Sequence, residues 1–222
     1  QRKNKINKEK NEVNVYSRAT LNINDKNYKI KLRLKGDRVI HWYDKENSSY
    51  KIDVRDGDTI WGMEEFSVQK PITRNYTYEF IFHKLLEFNK LISLKYFFIN
   101  LSLNDTNQGV YAVEEGFSKE LIERNKRRNG PIFSLNEEWA LGDNNQKKDI
   151  LFEVYNKRTW LSDQNKTFTL FAYNLLKNFF NGNENIENLF DIDKWAWFMA
   201  ASDINYYAHG ADVKSVRFYY NP

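Results

Sequence analysis

Apolar and polar residues alternate with a period of two through the first part of the chain, which is the pattern of half-buried β-strands. Residues 13–36 follow this alternation, and the polar run 24–27 interrupts it where a hairpin would turn. Tyr50, Ile52 and Val54 repeat the alternation after a polar stretch. The sequence therefore predicts two antiparallel strands joined by a turn and then a third strand.

The next segment changes from strand-like to helix-like spacing. Within residues 75–88, Tyr78, Ile81, Leu85 and Phe88 recur at intervals of three and four, as on one face of an amphipathic helix. The pattern predicts a helix there.

A second hairpin and a further helix follow. Residues 95–103 alternate again, residues 104–109 have loop composition, and residues 110–114 are mostly apolar. A helix is predicted from a Ser118 cap to about residue 128, because acidic and basic side chains fall at the ends that suit the helix dipole.

The last third of the chain is predicted to be mainly helical. Residues 130–163 have weak periodicity, which predicts loops and short elements. Residues 168–180 predict a helix, Asp191 or Asp193 caps another, and residues 216–220 predict a closing strand. Early strands and late helices indicate an α+β fold with a mainly antiparallel sheet packed against helices.

The positive charge of the chain is confined to its start. The formal net charge is +4, and residues 1–11 hold five basic residues and one acidic residue, so the remainder is neutral by count. We therefore predict a basic flexible arm or linker over residues 1–11, one domain over residues 12–222, and no nucleic-acid partner. No run of about 18 apolar residues is present. Any membrane or surface anchor is expected outside this sequence.

Two blocks of sequence carry a family resemblance. The first contains L-R-L-K-G-D, S-S-Y-K-I, W-G-M-E-E-F-S-V-Q, T-R-N-Y-T-Y-E-F-I-F-H and G-V-Y-A-V-E-E-G-F-S-K-E-L-I-E-R-N-K-R-R. The second contains F-D-I-D-K-W-A-W-F-M-A-A-S-D-I-N-Y-Y-A-H-G, followed by R-F-Y-Y-N-P. Together they cover more than half of the chain and resemble the CotH kinase family, named after spore coat protein H.

The resemblance implies an atypical protein-kinase-like fold with a sheet-rich lobe at about residues 12–115 and a helical lobe at about residues 116–222. It implies binding of ATP with Mg2+ or Mn2+ and phosphate transfer to Ser or Thr of a protein substrate. An extracytoplasmic or cell-surface location also follows from the family analogy.

Lys51 and Glu79 are the first residues to which the resemblance assigns a role. A kinase fixes a cation beside the nucleotide phosphates by pairing a strand lysine with a helix carboxylate. Lys51 on the third strand and Glu79 on the next helix are predicted to form this pair. The alternative is an exposed lysine beside an exposed glutamate.

Five more residues are candidates for nucleotide binding. Arg33 and Lys35 share one strand face and lead into a turn, where they are candidates for phosphate contacts. Arg74 precedes the helix and is a candidate for binding an anion or for pinning a carboxylate. By analogy, Glu114 and Glu115 lie where a kinase chain meets adenine and ribose. Salt bridges are the alternative role for both acids.

Asp203 is the leading catalytic candidate, because it lies in the segment that resembles the one holding the family's proton-accepting acid. Its role would be to accept a hydrogen bond from the substrate hydroxyl. His209 is a candidate for orienting a phosphate or Asp203. Asp203 and Ser215 are candidate metal ligands, with the main ligand expected beyond Pro222. The resemblance thus implies a kinase domain that is incomplete at its C-terminus.

Two other functions stay open at this point. One is a catalytically inactive relative that serves as a nucleotide-binding or surface-interaction module. The other is a carbohydrate-associated surface domain, because tryptophans provide stacking platforms, although core packing explains most of them better. The tryptophans are Trp42, Trp61, Trp139, Trp160, Trp195 and Trp197.

Overall fold

The structure, a computed structural model, describes residues 15–35, 41, 48–136, 151–205, 208–212 and 215–222, with backbone alone at 208 and 209. The α+β class predicted from the sequence is confirmed. The chain divides into two compact units, the first formed by residues up to 83 and 93–116 and the second by residues 84–92 and 117–222.

The division into two units does not test two of the predictions. The assignment of residues 12–115 and 116–222 to kinase lobes stays a prediction. The basic arm predicted over residues 1–11 lies outside the described residues. In the part that the structure describes, no helix is both long enough and apolar enough to cross a membrane.

The first unit contains a six-stranded sheet in which all neighbouring strands are antiparallel. Its spatial order is β1-β2-β3-β4-β6-β5. The predicted first hairpin is confirmed, with a turn at Asn24 and Asp25 in the left-handed region, at φ 48° and 63°. The strands are β1 (Ser17–Ile23), β2 (Lys26–Leu34), β3 (Tyr50–Val54), β4 (Glu65–Gln69), β5 (Tyr96–Leu103) and β6 (Thr106–Glu115).

Strand β4 was not predicted. Four of its five residues are buried, on both faces of the sheet, so the alternation that identified the first three strands is absent. A tight turn precedes it, in which the backbones of Ile60 and Met63 exchange hydrogen bonds of 3.0 and 2.9 Å. Because β4 lies between β3 and β6, it fixes the distance between the early strands and the second hairpin.

The second hairpin is tighter than predicted. Asn104 and Asp105 alone form its turn, at φ 47° and 63°, and β6 begins at Thr106 instead of residue 110. A register shift between Leu101 and Ser102 accommodates the loop-like residues within the ladder.

One face of the first sheet is apolar and forms the core of this unit. Burying an aliphatic or aromatic side chain contributes about 1.5–3 kcal/mol, so this face supplies most of the unit's stabilisation. The buried residues of the core are Ile30, Ile52, Ile60, Met63, Phe66, Val68, Tyr111 and Val113.

The helix predicted over residues 75–88 is present as α1 (Tyr78–Phe88), preceded by a 3-10 turn at Pro71–Arg74. Its buried face is not the apolar stripe that identified it, because Tyr78, Ile81 and Phe88 are exposed. Two ionisable side chains are buried instead, because Glu79 forms an ion pair with Arg74 and His83 lies beside Glu79. The buried residues recur at helical spacing and are Glu79, Phe82, His83 and Leu86.

The second unit combines helices with a three-stranded antiparallel sheet of order β8-β7-β9. Only β9 was predicted as a strand, because β7 and β8 are short and lie in the region of weak periodicity. The elements are α2 (Lys119–Arg124), β7 (Ile132–Leu135), β8 (Phe152–Val154), α3 (Lys157–Trp160), α4 (Lys166–Phe180), α5 (Ile186–Leu189), α6 (Ile192–Ile204), α7 (Ala208–Ala211) and β9 (Arg217–Tyr219).

Helix ends explain where these helix predictions succeed and fail. Asp191 caps α6 as predicted, and its carboxylate accepts a hydrogen bond of 3.2 Å from the Lys194 amide. Helix α2 is shorter than predicted because Lys126 is left-handed, at φ 57°. The Arg127 amide then donates to the Ile122 carbonyl, which closes a Schellman motif.

Aromatic rings dominate the core of the second unit. Phe218 of β9 is buried, and its ring lies 5.7 Å from that of Phe180 and 5.8 Å from that of Phe190. Trp195 stacks on Phe218 at 6.2 Å. These contacts attach the end of the chain to α4 and α6.

Candidate functional site

The second face of the first sheet is polar, and the strand register shows which side chains share it. Lys51 of β3 lies opposite Arg33 of β2 and opposite Ser67 of β4. Ser67 also lies opposite Glu114 of β6, which in turn lies opposite Tyr96 of β5. Because directly opposite side chains stand on the same side of an antiparallel sheet, these five form one row. We call this side of the sheet the polar face.

Glu114 is the centre of a partly buried network on the polar face. Lys35, which directly follows β2, donates a hydrogen bond of 2.8 Å to the Glu114 carboxylate. The side-chain amide of Gln69, which is fully buried, donates to the same oxygen at 2.5 Å. The Lys35 and Glu114 side chains are only 18% and 13% exposed, so this is a largely desolvated ion pair.

A second ion pair lies at the start of α1. Arg74 Nε is 2.9 Å from Glu79 Oε2, and both side chains are largely buried. His83 lies one helical turn after Glu79, with Nε2 3.9 Å from Glu79 Oε1. The amide of Leu94 donates to His83 Nδ1 at 3.3 Å, so the neutral ring carries its proton on Nε2, toward Glu79.

Tyr96 connects the two ion pairs. Its ring stacks on that of His83 with centroids 6.0 Å apart. Burial raises the pKa of Tyr96 far above its ordinary value, and the negative charges of Glu79 and Glu114 raise it further. Tyr96 therefore stays a neutral phenol between two carboxylates.

The electrostatics favour an ionised Glu114. Burial alone would raise the pKa of this carboxyl, but the charges of Lys35 and Arg74 and the hydrogen bond from Lys35 outweigh burial and lower it to about 2. Glu114 is thus a fixed negative charge at neutral pH, matched by two cations.

This shift predicts acid sensitivity. Because the pKa of Glu114 is lower in the folded chain than its ordinary 4.5, ionised Glu114 stabilises the fold above pH 4.5. That contribution, about 3 kcal/mol, should disappear as the pH falls through 4.5 toward 2. Urea unfolding across this range measures it, with Glu114→Gln as the control that cannot titrate. If the stability difference between the two proteins does not change with pH, the assigned pKa is wrong.

Glu115 does not belong to the polar face. It lies opposite Phe66 on the apolar side of the sheet and is 2% exposed. Its carboxylate accepts a hydrogen bond of 2.7 Å from the Lys95 amide, which fixes the start of β5. The structure thus gives the two adjacent acids different environments, and a nucleotide contact by Glu115 stays a prediction.

The predicted ion pair between Lys51 and Glu79 is wrong. Lys51 Nζ lies 2.9 Å from Glu65 Oε1 of β4, whereas Glu79 binds Arg74. The reason is the unpredicted strand β4. Glu79 lies near Tyr96 of β5, and strands β4 and β6 separate β5 from β3. Lys51 of β3 is therefore about 14 Å from Tyr96, at the other end of the row.

The remaining predicted residues lie in the second unit. Asp203 is exposed in the last turn of α6. His209 lies in α7. The Ser215 amide donates to the Asp212 carbonyl at 2.7 Å.

The residues that the structure describes contain no group of three or more His, Asp or Glu side chains arranged to hold a metal ion. Asp203 offers one exposed carboxylate, which matches the one or two that Mg2+ takes from a protein when phosphates supply other ligands.

Sequence reasoning missed several members of the network. Gln69, Tyr96 and His83 were not predicted because each looks like an ordinary core or surface residue until the strand register is known. One signal was available, since Glu79 and His83 are four residues apart and share a helix face. Glu65, the partner of Lys51, was missed together with β4.

The tryptophans divide between cores and surface. Trp160 is buried in the core of the second unit, and Trp195 packs against that core. Trp61 and Trp197 are 36% and 52% exposed and stay available as stacking platforms. Trp42 and Trp139 lie outside the described residues.

No protein-family model and no curated protein sequence matches this chain. The resemblance to the CotH kinases therefore stays a prediction that rests on the motifs quoted above.

Proposed function

We propose that the chain is a CotH-like, atypical protein-kinase domain that binds ATP with Mg2+ or Mn2+ and transfers phosphate to Ser or Thr of a partner protein. The observation that carries the proposal is the desolvated Lys35–Glu114 ion pair within the network on the polar face. Protein kinases hold a strand lysine beside the nucleotide phosphates with a carboxylate. Lys35 and Glu114 offer the same pairing of a fixed cation and an acid.

The position of α1 gives further support. In protein kinases the carboxylate that holds the lysine comes from a helix beside the sheet. Here α1 follows β4 and places Glu79 and His83 beside Tyr96. Glu79 is thus connected to the network, although its cation is Arg74 and not the predicted Lys51. We assign Arg74 the role of holding α1 in place.

The proposed phosphate contacts are the two cations of the row, Arg33 and Lys51. Lys51 is 25% exposed and its partner Glu65 is 34% exposed, so an incoming phosphate reaches this ion pair more easily than the pair of Lys35 and Glu114. Arg33 lies directly opposite Lys51 and forms no ion pair with any residue that the structure describes. Lys35 would stay paired with Glu114 and hold the end of β2 in position.

Asp203 is the proposed acceptor of the substrate hydroxyl's hydrogen bond, supported by its exposure on α6 and by the motif around it. His209 is proposed to orient the phosphate or Asp203. The metal would be held mainly by nucleotide phosphates, with Asp203 and Ser215 as tentative ligands. It would neutralise charge that develops on the transferring phosphoryl group.

The test of catalysis is radiolabel transfer from ATP to a generic protein acceptor with Mn2+ or Mg2+ present. We expect transfer by the full-length protein and a loss of about 100-fold or more in its Asp203→Asn variant, because a positioned acid or base typically contributes at least that factor. The matched control is Asp163→Asn, an exposed acid of the same unit outside the motif. Equal transfer by Asp203→Asn and the control would remove Asp203 from the mechanism.

One observation favours the inactive alternative. The two most buried cations of the network, Lys35 and Arg74, are each already neutralised by a carboxylate. A module with this arrangement can be stable without nucleotide. ATP binding without phosphate transfer by the full-length protein would support this alternative over the kinase.

A further inference from the structure

A second cluster of cations lies on the polar face, toward the opposite end of β2 from Lys35. Arg18 of β1 is directly opposite Lys31 of β2, and both side chains are exposed. Lys31 is four residues from Lys35, which separates the two by about 14 Å along the strand. Arg55 directly follows β3, and the alternation of that strand places it on the polar face with Lys51. Its backbone amide donates a hydrogen bond of 3.0 Å to the Lys29 carbonyl.

The charges of this cluster are poorly balanced within the chain. Lys29 binds Asp56 at 3.0 Å. Arg18, Lys31 and Arg55 form no ion pair with another described residue. The strand register places one acid beside these three cations, Asp53, which lies directly opposite Lys31. Like charges directly opposite each other destabilise a sheet, so the Arg18–Lys31 pair costs stability in the isolated chain. An acidic ligand would relieve that repulsion.

We propose that this cluster binds an acidic, extended segment of a partner protein. Within this cluster, Lys29 and Lys31 lie on one face of β2 two residues apart, at about 6.8 Å. An extended peptide with Glu or Asp at alternate positions presents carboxylates at the same interval. Among the strands that the structure describes, β1 pairs with β2 alone and lies at the edge of the sheet. An acidic segment can therefore also align beside β1 as an added strand.

An acidic protein segment fits this surface better than single-stranded nucleic acid does. Proteins bind single strands through aromatic rings on which bases stack. Tyr16, the aromatic residue beside this cluster, already has the Arg33 guanidinium 5.6 Å from its ring centroid, so one face of the ring is engaged in a cation–π contact. The inference does not rest on the proposed kinase activity, because Arg18 and Lys31 belong to neither the nucleotide contacts nor the network around Glu114.

The test measures binding of a fluorescent peptide of about eight residues with alternating Glu and Thr, which spans about 27 Å when extended. We expect binding in low salt that disappears in about 1 M salt, where the Debye length is only 3 Å. The double substitution Arg18→Gln with Lys31→Gln should weaken binding about tenfold, since it removes two exposed cations whose ion pairs with a ligand are each weak and screened by salt. Arg128→Gln with Lys166→Gln, which removes the same charges from exposed positions of the second unit, should leave it unchanged.

Three outcomes would overturn the inference. The first is no binding of the peptide by the wild-type chain. The second is equal weakening by the two double substitutions, which would show a response to net charge alone. The third is tighter binding of oligothymidylate or of phosphatidylserine vesicles than of the peptide, with the same dependence on Arg18 and Lys31. That result would assign the cluster to nucleic acid or to a membrane surface.

Discussion

Replacing Glu114 with alanine should lower the free energy of unfolding of the first unit by about 3–5 kcal/mol, the cost of breaking a buried ion pair from one side. The substitution leaves the Lys35 ammonium without its carboxylate in a site that is 18% exposed. It also removes the acceptor of the Gln69 amide. Urea unfolding followed by hydrogen exchange of the β4 and β6 amides measures the loss within this unit.

The matched control is the exposed ion pair of α2. Lys119 and Glu123 are 55% and 54% exposed and 3.3 Å apart, so Glu123→Ala should cost about 0.5 kcal/mol or less. The double substitution Lys35→Ala with Glu114→Ala should cost less than the sum of its two single substitutions, because neither charge is then left unpaired. Equal effects of Glu114→Ala and Glu123→Ala would contradict the assignment of Glu114 to a desolvated network.

Replacing Phe218 with alanine should destabilise the second unit by about 3–5 kcal/mol. Its ring contacts those of Phe152, Phe180, Phe190 and Trp195. These rings belong to the sheet and to the helices packed on it, so the substitution leaves a cavity that no single element can close by shifting. Hydrogen exchange of the β7 amides provides the measurement, since β7 pairs with β9.

Phe171→Ala is the control for this prediction. Phe171 lies on α4 of the same unit but is 55% exposed, so its removal should cost about 1 kcal/mol or less. If both phenylalanines give similar losses, Phe218 is not the centre of the second core.

Local sequence signals were sufficient for the elements that have one buried face. The β1–β2 hairpin was predicted because its apolar positions alternate and its turn residues tolerate left-handed backbone. Helix α6 was predicted because Asp191 supplies a cap. Strand β4 was missed because burial on both faces removes the alternation. Strands β7 and β8 were missed because three or four residues are too short to show a period.

The candidate site was predicted only in part, for a related reason. Lys35, Arg74, Glu79 and Glu114 were identified as ionisable residues with a functional role, and the structure places all four in one network. Which cation pairs with which carboxylate could not be predicted, because the pairing depends on how many strands lie between the two residues. Without β4 in the predicted sheet, Lys51 of β3 and Glu79 of α1 were expected to be neighbours.

The central claim is that the polar face binds nucleotide phosphates through Arg33 and Lys51. Its most direct test is the stabilisation of the wild-type chain by ATP with Mn2+, followed as the shift in unfolding free energy. We expect about 2.7 kcal/mol when free ATP is about 100 times its dissociation constant. Arg33→Gln and Lys51→Gln should each weaken ATP binding about tenfold, the loss of one charge-assisted hydrogen bond. Lys166→Gln, an exposed cation of the second unit, should bind ATP as the wild type does. No stabilisation of the wild-type chain, or equal stabilisation of all four proteins, would contradict a nucleotide site on the polar face.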